Sequence, residues 1–239
     1  MAGSRGYVLF MVEGQTDEMA LGRVLSKLIA ERDGNETRFD VMRTDILAKY
    51  RFSSVPSGGS SPIDPREKVR EEILAYIERQ RIAWKDITQI VYLTDTDGVF
   101  VPDDAVLLDE SCEHVQYGAS EMRCACPDRI RARNHQKSES LLKLCRISEL
   151  TFKRHPVPFS VHYFSRNLEH ALHGRIEEQT QNEKVRLARA FSARYSQDVL
   201  SFRQLLDGLC PVGGYQETWE YIARGTRSLE RGSNLILVL

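Results

Sequence analysis

The first clear pattern along the chain is YVLFMV, residues 7–12, six apolar positions in succession. An unbroken run of that length suits a strand covered on both faces of a parallel sheet. Behind it, Thr16 predicts a helix cap for a helix from Asp17 to about Glu31, with Met19, Leu21, Val24, Leu25 and Leu28 turned inward. DGN at 33–35 ends that periodicity, and TRFDVM, 37–42, predicts a second strand. SSVPSGGSSP, 53–62, is poor in apolar residues and rich in Gly and Ser, which predicts a mobile loop. Asp64-Pro65-Arg66-Glu67 then supplies a capping Asp, a Pro in the first turn and a Glu three residues after the cap, so a helix to about Arg81 follows. QIVYLT, 89–94, is the third strand. The alternation β-α-β-α-β predicts a parallel sheet with right-handed crossovers.

After Asp97 the pattern loosens. Residues 103–121 hold six acidic residues and no Lys or Arg, whereas 123–154 hold nine basic residues against three acidic. Helical spacing of Ile130, Leu141, Leu144 and Cys145 predicts a partly buried basic helix there. PFSVHYFS, 158–165, predicts a fourth strand, followed at once by NLEHALHG. From about Thr180 the pattern is helical, and Leu187, Phe191, Tyr195, Val199, Phe202 and Leu205 predict a surface that covers the sheet or a second subunit. Trp84 and Trp219 are expected as core or interface anchors. The expected architecture is an α/β domain over 1–175, with a mainly parallel sheet of about four strands flanked by helices and an insertion at 99–157. A helical region, 176–239, would pack on the same domain.

Composition narrows the class. With 239 residues, 41% hydrophobic and 28% charged, the chain has the ordinary make-up of a soluble globular protein. Its net charge of −1 means that any affinity for nucleic acid must come from a local patch. No apolar run approaches the roughly 20 residues that cross a bilayer, so no membrane partner is expected. The N-terminal apolar stretch meets Glu13 at once and is better taken as a core strand than as an export signal. Five cysteines, an odd number, suit reduced thiols in a cytoplasm.

Chemistry concentrates at the strand ends. Strand one runs into EGQTD with Glu13 and Asp17, strand three into DTD with Asp95 and Asp97, and strand four is followed by Glu169. In an open parallel sheet, ligands sit at the carboxyl ends of the strands. Asp95 and Asp97, at i and i+2 of an extended segment, would point the same way and share an ion. So many carboxylates without a cation would repel strongly, and a hard divalent ion, Mg²⁺ or Mn²⁺, resolves the conflict. One such ion would activate an attacking water and a second would stabilise the leaving oxygen of a phosphodiester. Lys137 is the first candidate to reach the scissile phosphate, and Lys153 the other. Arg129, Arg131, Arg133 and Lys137 could track a phosphate backbone, or form a solvated helix face.

VLFMVEGQTDE and YLTDTDG together resemble the two acidic motifs of Toprim domains, the first a strand ending in Glu-Gly before a helix, the second Asp-x-Asp. The Glu13–Asp17 spacing is closest to the overcoming-lysogenisation-defect nucleases, and SRNLEHAL, with Glu169, is similar to a later acidic motif of that group. The resemblance covers residues 7–98 and 158–173, and SRNLEHALHG with the C-terminal tail is also similar to small uncharacterised bacterial proteins. It implies a metal-dependent nuclease acting on DNA or RNA, in phage defence, repair or RNA processing, with a homodimer or a partner ATPase as possible company.

Two other readings compete. DTDGVF is also close to the nucleophile motif of haloacid dehalogenase-like phosphatases, where Asp95 would attack and Asp97 act as acid and base; that reading leaves Glu13 and Asp17 unexplained. A non-catalytic Toprim-like binding module is the third. Cys112-x-His114 and Cys124-x-Cys126 offer four zinc ligands, though a single intervening residue is tighter than usual and plain loop thiols are the expectation. His162, His170 and His173 flank the Glu169 region, and His170, adjacent to Glu169, is expected as a second-layer or surface residue.

Overall fold

The computed structural model describes residues 6–34, 37–44, 46–47, 64–177 and 179–239. The Gly/Ser-rich stretch 53–62 lies outside them. The chain begins with β1 (Tyr7–Val12), α1 (Gln15–Asp33), β2 (Arg38–Arg43), α2 (Pro65–Gln80) and β3 (Ile87–Asp95). Three short strands follow, β4 (Val106–Leu108), β5 (Gln116–Tyr117) and β6 (Met122–Cys124), then α3 (Pro127–Leu144). The chain continues through β7 (Glu149–Phe152), β8 (His155–Phe164), α4 (Leu168–His173), α5 (Gln181–Tyr195), α6 (Val199–Leu209) and α7 (Tyr215–Ile222).

The main sheet has the order β2-β1-β3-β8-β7. Its first four strands are parallel, and β7 adds an antiparallel edge. The fold is thus α/β with a mixed, mostly parallel sheet of five strands, one more than the periodicity gave. The extra strand arises because β8 starts at His155, and the turn before it, Lys153-Arg154, has φ of 47° and 73°. Two successive left-handed residues are what a tight hairpin between twisted strands requires. This turn also places Lys153 at the start of β8, at the opposite end of the sheet from the strand carboxyl ends. Lys153 is therefore not near the acidic residues, a correction to its candidacy.

Alternation along β1 shows why an unbroken apolar run was needed. Leu9 and Met11 face a core shared with α2, α3 and α7, while Val8, Phe10 and Val12 face one shared with α1, α4, α5 and α6. Phe191, Tyr195, Phe202 and Leu206 sit in the second core, so the C-terminal helices cover this chain's own sheet. Trp219 is buried in the first core, edge-on to Tyr163 with ring centres 5.0 Å apart. Asp64 caps α2 through Arg66 N–H at 3.0 Å, as its sequence predicts. The α1 start differs: Gly14, not Thr16, is the cap residue, and the Asp17 carboxylate accepts the Gly14 N–H at 2.8 Å. The side chain of Asp17 reaches back better than that of Thr16 because it stands three residues into the helix.

His162 is buried in the middle of β8. Its Nδ1 lies 3.0 Å from the Asn234 carbonyl and its Nε2 3.1 Å from Ser160 Oγ. Burial, opposed by the Asn234 contact, pulls its pKa down to about 4. The unfolded chain therefore takes up this proton first, so the contribution of His162 to stability is complete above the ordinary histidine pKa near 6.5 and is lost as pH falls towards 4. Urea unfolding across that window should show a loss of roughly 3 kcal/mol from this group, and His162→Gln should remove it.

Candidate active site

Three parallel strands deliver their carboxyl ends to one place. Glu13 follows β1, Asp95 closes β3, and β8, paired with β3 through Asp95 and Phe164, leads to α4 with Glu169 in its first turn. Thr94 Oγ1 donates to Glu13 Oε1, and Asp95 N–H donates to the same oxygen at 3.3 Å. Glu13 is thus tied to the end of the neighbouring strand by the strand's own polar groups.

After Asp95 the backbone turns sharply. Thr96 N–H donates to the Phe164 carbonyl at 3.0 Å and Asp97 N–H to the Arg166 carbonyl at 2.8 Å. Asp97 and Gly98 both lie in the left-handed region, with φ of 50° and 65°. Asp97 therefore does not reach the site by the straight i, i+2 alternation of a strand; it arrives through a turn. A Cβ on Gly98 would stand 3.0 Å from Leu229 Cδ2 and 3.1 Å from Met122 Sδ, so glycine is required there by space as well as by φ.

Lys137, on α3, enters this group from the other side of the sheet's edge. Its side chain is 1% exposed, with Nζ 2.7 Å from Asp97 Oδ2 and 3.8 Å from Glu13 Oε1. Burial works against its charge, but Asp97 and Glu13 outweigh burial and hold its pKa above the ordinary lysine value. Asp95 behaves in the opposite sense. Burial first, then Glu13, Asp17 and Asp97, push its carboxyl well above the usual range, with Lys137 opposing. Asp17 is raised to about 6, mainly by burial and then by Glu169, against the Gly14 N–H and Lys184. Glu169 in turn lies 3.7 Å from Lys184 Nζ. Glu13, Asp17, Asp95, Asp97 and Glu169 thus form one electrostatically linked group with Lys137 and Lys184.

The donors are all carboxylate oxygens, the chemistry a hard divalent cation takes. Among the described residues, however, no group of three or more His, Cys, Asp or Glu side chains is arranged to hold a metal ion. Lys137 accounts for part of this, because its ammonium already engages Asp97 and Glu13. The donor set fits Mg²⁺ or Mn²⁺ in kind, while in the present arrangement Lys137 pairs with Asp97 and Glu13, and Lys184 with Glu169.

The basic residues of α3 divide. Arg133 Nη2 donates to the Asp97 carbonyl at 3.0 Å and braces the turn. Arg129 is exposed. Arg131 is corrected as a phosphate contact: its guanidinium is occupied by the Asp103 and Val106 carbonyls at 3.0 and 2.9 Å. Two places along a helix turn it about 200°, so Arg131 stands opposite Arg129, whereas Arg133, four places on, returns to within about 40° of Arg129. Cys112, His114, Cys124 and Cys126 line one cavity of about 1060 Å³ but form no metal site among the described residues. His170 is buried with Nδ1 3.4 Å from the Ser165 carbonyl, and His173 stacks edge-on to Phe191; neither is bonded to a carboxylate of the group. Thr94, Lys184 and Arg166 escaped the sequence reading. Thr94 stands directly before DTD, the one local signal for any of them.

Because the Asp17 pKa is raised, its carboxyl favours the folded state below about pH 4, and that contribution disappears as pH rises through about 6. Asp17→Asn should therefore stabilise the metal-free protein at pH 7 by about 2–3 kcal/mol and leave it unchanged at pH 4. Over pH 4–6 this slope opposes that of His162. The single variants should reveal the two opposite slopes in urea titrations.

Comparison of the chain with protein-family models, with curated proteins and with solved structures gave no match.

Proposed function

We propose that this chain is a Toprim-like, divalent-cation-dependent nuclease that hydrolyses phosphodiester bonds of nucleic acid at the carboxyl edge of its sheet. The observation that carries the reading is the electrostatic linkage of carboxylates from three strand ends, Glu13, Asp95 and Asp97 with the buried Lys137, and Asp17 and Glu169 with Lys184. Five carboxylates against two lysines leave an excess of negative charge that a structural role does not require, since apolar residues would pack a strand edge at lower cost. The motif resemblance to Toprim nucleases supports the same reading.

Glu13, Asp17, Asp95, Asp97 and Glu169 are the residues that would hold Mg²⁺ or Mn²⁺. When bound, such an ion supplies positive charge against phosphate oxygens and eases deprotonation of water. The chain's own contribution is positioning. Thr94 and the Asp95 N–H fix Glu13, the left-handed turn at Asp97 and Gly98 aims Asp97, and the Lys137 ammonium pairs with both carboxylates. Asp17 Oδ2 accepts the Gly14 N–H, which fixes that carboxylate at the start of α1.

The test is incubation of the wild-type protein with single- and double-stranded DNA and RNA, in Mg²⁺, in Mn²⁺ and in EDTA, alongside a small phosphomonoester. Cleavage of a polymer in metal but not in EDTA is expected. Hydrolysis of the phosphomonoester alone, unaffected by Glu13→Ala, would replace this reading with the phosphatase one. A stable complex with no cleavage would replace it with a binding module.

A further inference from the structure

Arg166 is the residue at which the chain leaves β8. Its φ of 60° is left-handed, a conformation that costs a non-glycine residue energy and that persists only when surroundings enforce it. Its N–H donates to Thr96 Oγ1 at 2.9 Å and its carbonyl accepts the Asp97 N–H at 2.8 Å. The backbone of Arg166 is therefore locked to the turn that carries Asp97.

Arg166 as a whole is 4% exposed. The guanidinium carbon lies 4.8 Å from the centre of the Tyr117 ring, and Nη2 donates to the Ile176 carbonyl at 3.1 Å. Nε is buried without a hydrogen-bond partner, and no carboxylate pairs with the group among the described residues. Lys137, only a turn away, has two carboxylates. A buried cation without an anion is costly and is retained where something compensates it.

Arg166 lines a cavity of about 720 Å³ together with Tyr117, Arg175, Gln179, Lys184 and Glu169 of the acidic group. The Gln179 amide is also buried there with neither its nitrogen nor its oxygen bonded among the described residues. Glu113 and Glu177 line it as well, but both are exposed, where water screens them. The volume lies within the roughly 300–1,000 Å³ of pockets that enclose small ligands.

We infer that this cleft receives a single-stranded stretch of nucleic acid, with Arg166 holding the phosphate next to the one at the carboxylates and the Gln179 amide facing its base. The inference rests on the nuclease reading. Guanidinium and aromatic planes stack on unpaired bases, and an amide reads a base edge only when that edge is free of its pairing partner. Arg175, exposed on the same cleft, and Lys184 extend the positive wall along the strand.

The experiment measures fluorescence anisotropy of labelled oligothymidylate, oligouridylate and a blunt duplex with the whole protein in EDTA, and cleavage kinetics in Mg²⁺. Single strands should bind more tightly than the duplex. Arg166→Gln should weaken single-strand binding about tenfold or more and raise KM in step with little change in kcat, as loss of a charge-assisted bond predicts. Arg166→Lys should recover part of the loss. Should Arg166→Gln fail to fold, Arg175→Ala and Gln179→Leu carry the same test, since neither side chain makes a bond that the fold needs. Equal affinity for duplex, no binding, or affinity and KM unchanged in the variants would overturn the cleft assignment. Cleavage with an unmoved KM would remove the cleft and keep the nuclease; Arg166-dependent binding without cleavage of any polymer would keep the cleft and remove the nuclease.

Discussion

Asp95→Asn is expected to lower metal-dependent cleavage by more than about a hundredfold, beyond what loss of a supporting residue around a metal costs, while making the metal-free protein more stable. The two effects have one origin. Asp95 closes β3 beside Glu13, and burial together with Glu13, Asp17 and Asp97 pushes its carboxyl well above the usual range. Asparagine keeps the shape and the Asp95 N–H bond to Glu13 but removes the charge that the neighbours resist. Thermal unfolding at pH 7 in EDTA should rise by at least about 2–4 °C, the shift for 1 kcal/mol in a chain of this size. Mn²⁺ should raise the wild-type midpoint, because a ligand of the folded state alone stabilises by mass action, and should raise that of the variant far less. Opposite signs for activity and stability separate a lost chemical group from a damaged fold. An Asp95→Asn protein that cuts at the wild-type rate would remove Asp95 from the mechanism.

Lys137→Ala should act in the other direction on stability. Its ammonium is the buried positive charge between Asp97 and Glu13, at 2.7 and 3.8 Å. Removing one partner of a buried pair leaves the other unpaired, at a cost of about 3–5 kcal/mol. That corresponds to a fall in midpoint of roughly 6–20 °C at pH 7. The deficit should shrink at pH 4–5, where the carboxylates left behind take up protons, and in millimolar Mg²⁺. Lys137→Met, which restores the aliphatic stem, separates packing from charge: it should recover only part of the loss. A Lys137→Ala protein as stable as wild type at neutral pH would mean that the carboxylates are solvated and that their repulsion is slight.

The sequence announced those features whose cause is local. YVLFMV and QIVYLT are strands because both of their faces are buried, and Asp64-Pro65 starts a helix because the capping oxygen and the missing N–H are written in neighbouring residues. Glu13 and Asp95 stood out because carboxylates directly after buried strands have few structural reasons to be there, whereas Asp17 also serves α1 by accepting the Gly14 N–H. Asp97 was expected for the wrong geometric reason, since its position depends on a left-handed turn held by the Phe164 and Arg166 carbonyls, residues far along the chain. β7 was missed because ELTF is too short to declare itself and gains its strand identity from pairing with β8. Arg131 and Lys153 carried the right charge at the wrong place, one captured by backbone carbonyls and one left on a distant hairpin. Arg166 and Lys184 became visible only through their neighbours in space.

The strand that carries this chemistry is fastened by residues made much later. Tyr163 N–H donates to Asn234 Oδ1 at 3.0 Å across 71 positions, and Ser233 Oγ donates to the Tyr163 carbonyl at 2.7 Å. At about 5–20 residues per second, a ribosome needs roughly 4–14 s to travel that distance. During that interval the nascent polypeptide holds β8 without its clasp, so assembly of this edge of the sheet must be a late event in biosynthesis. Messages that stall or end early in the last stretch should therefore yield chains that bear every acidic residue and still lack a rigid centre.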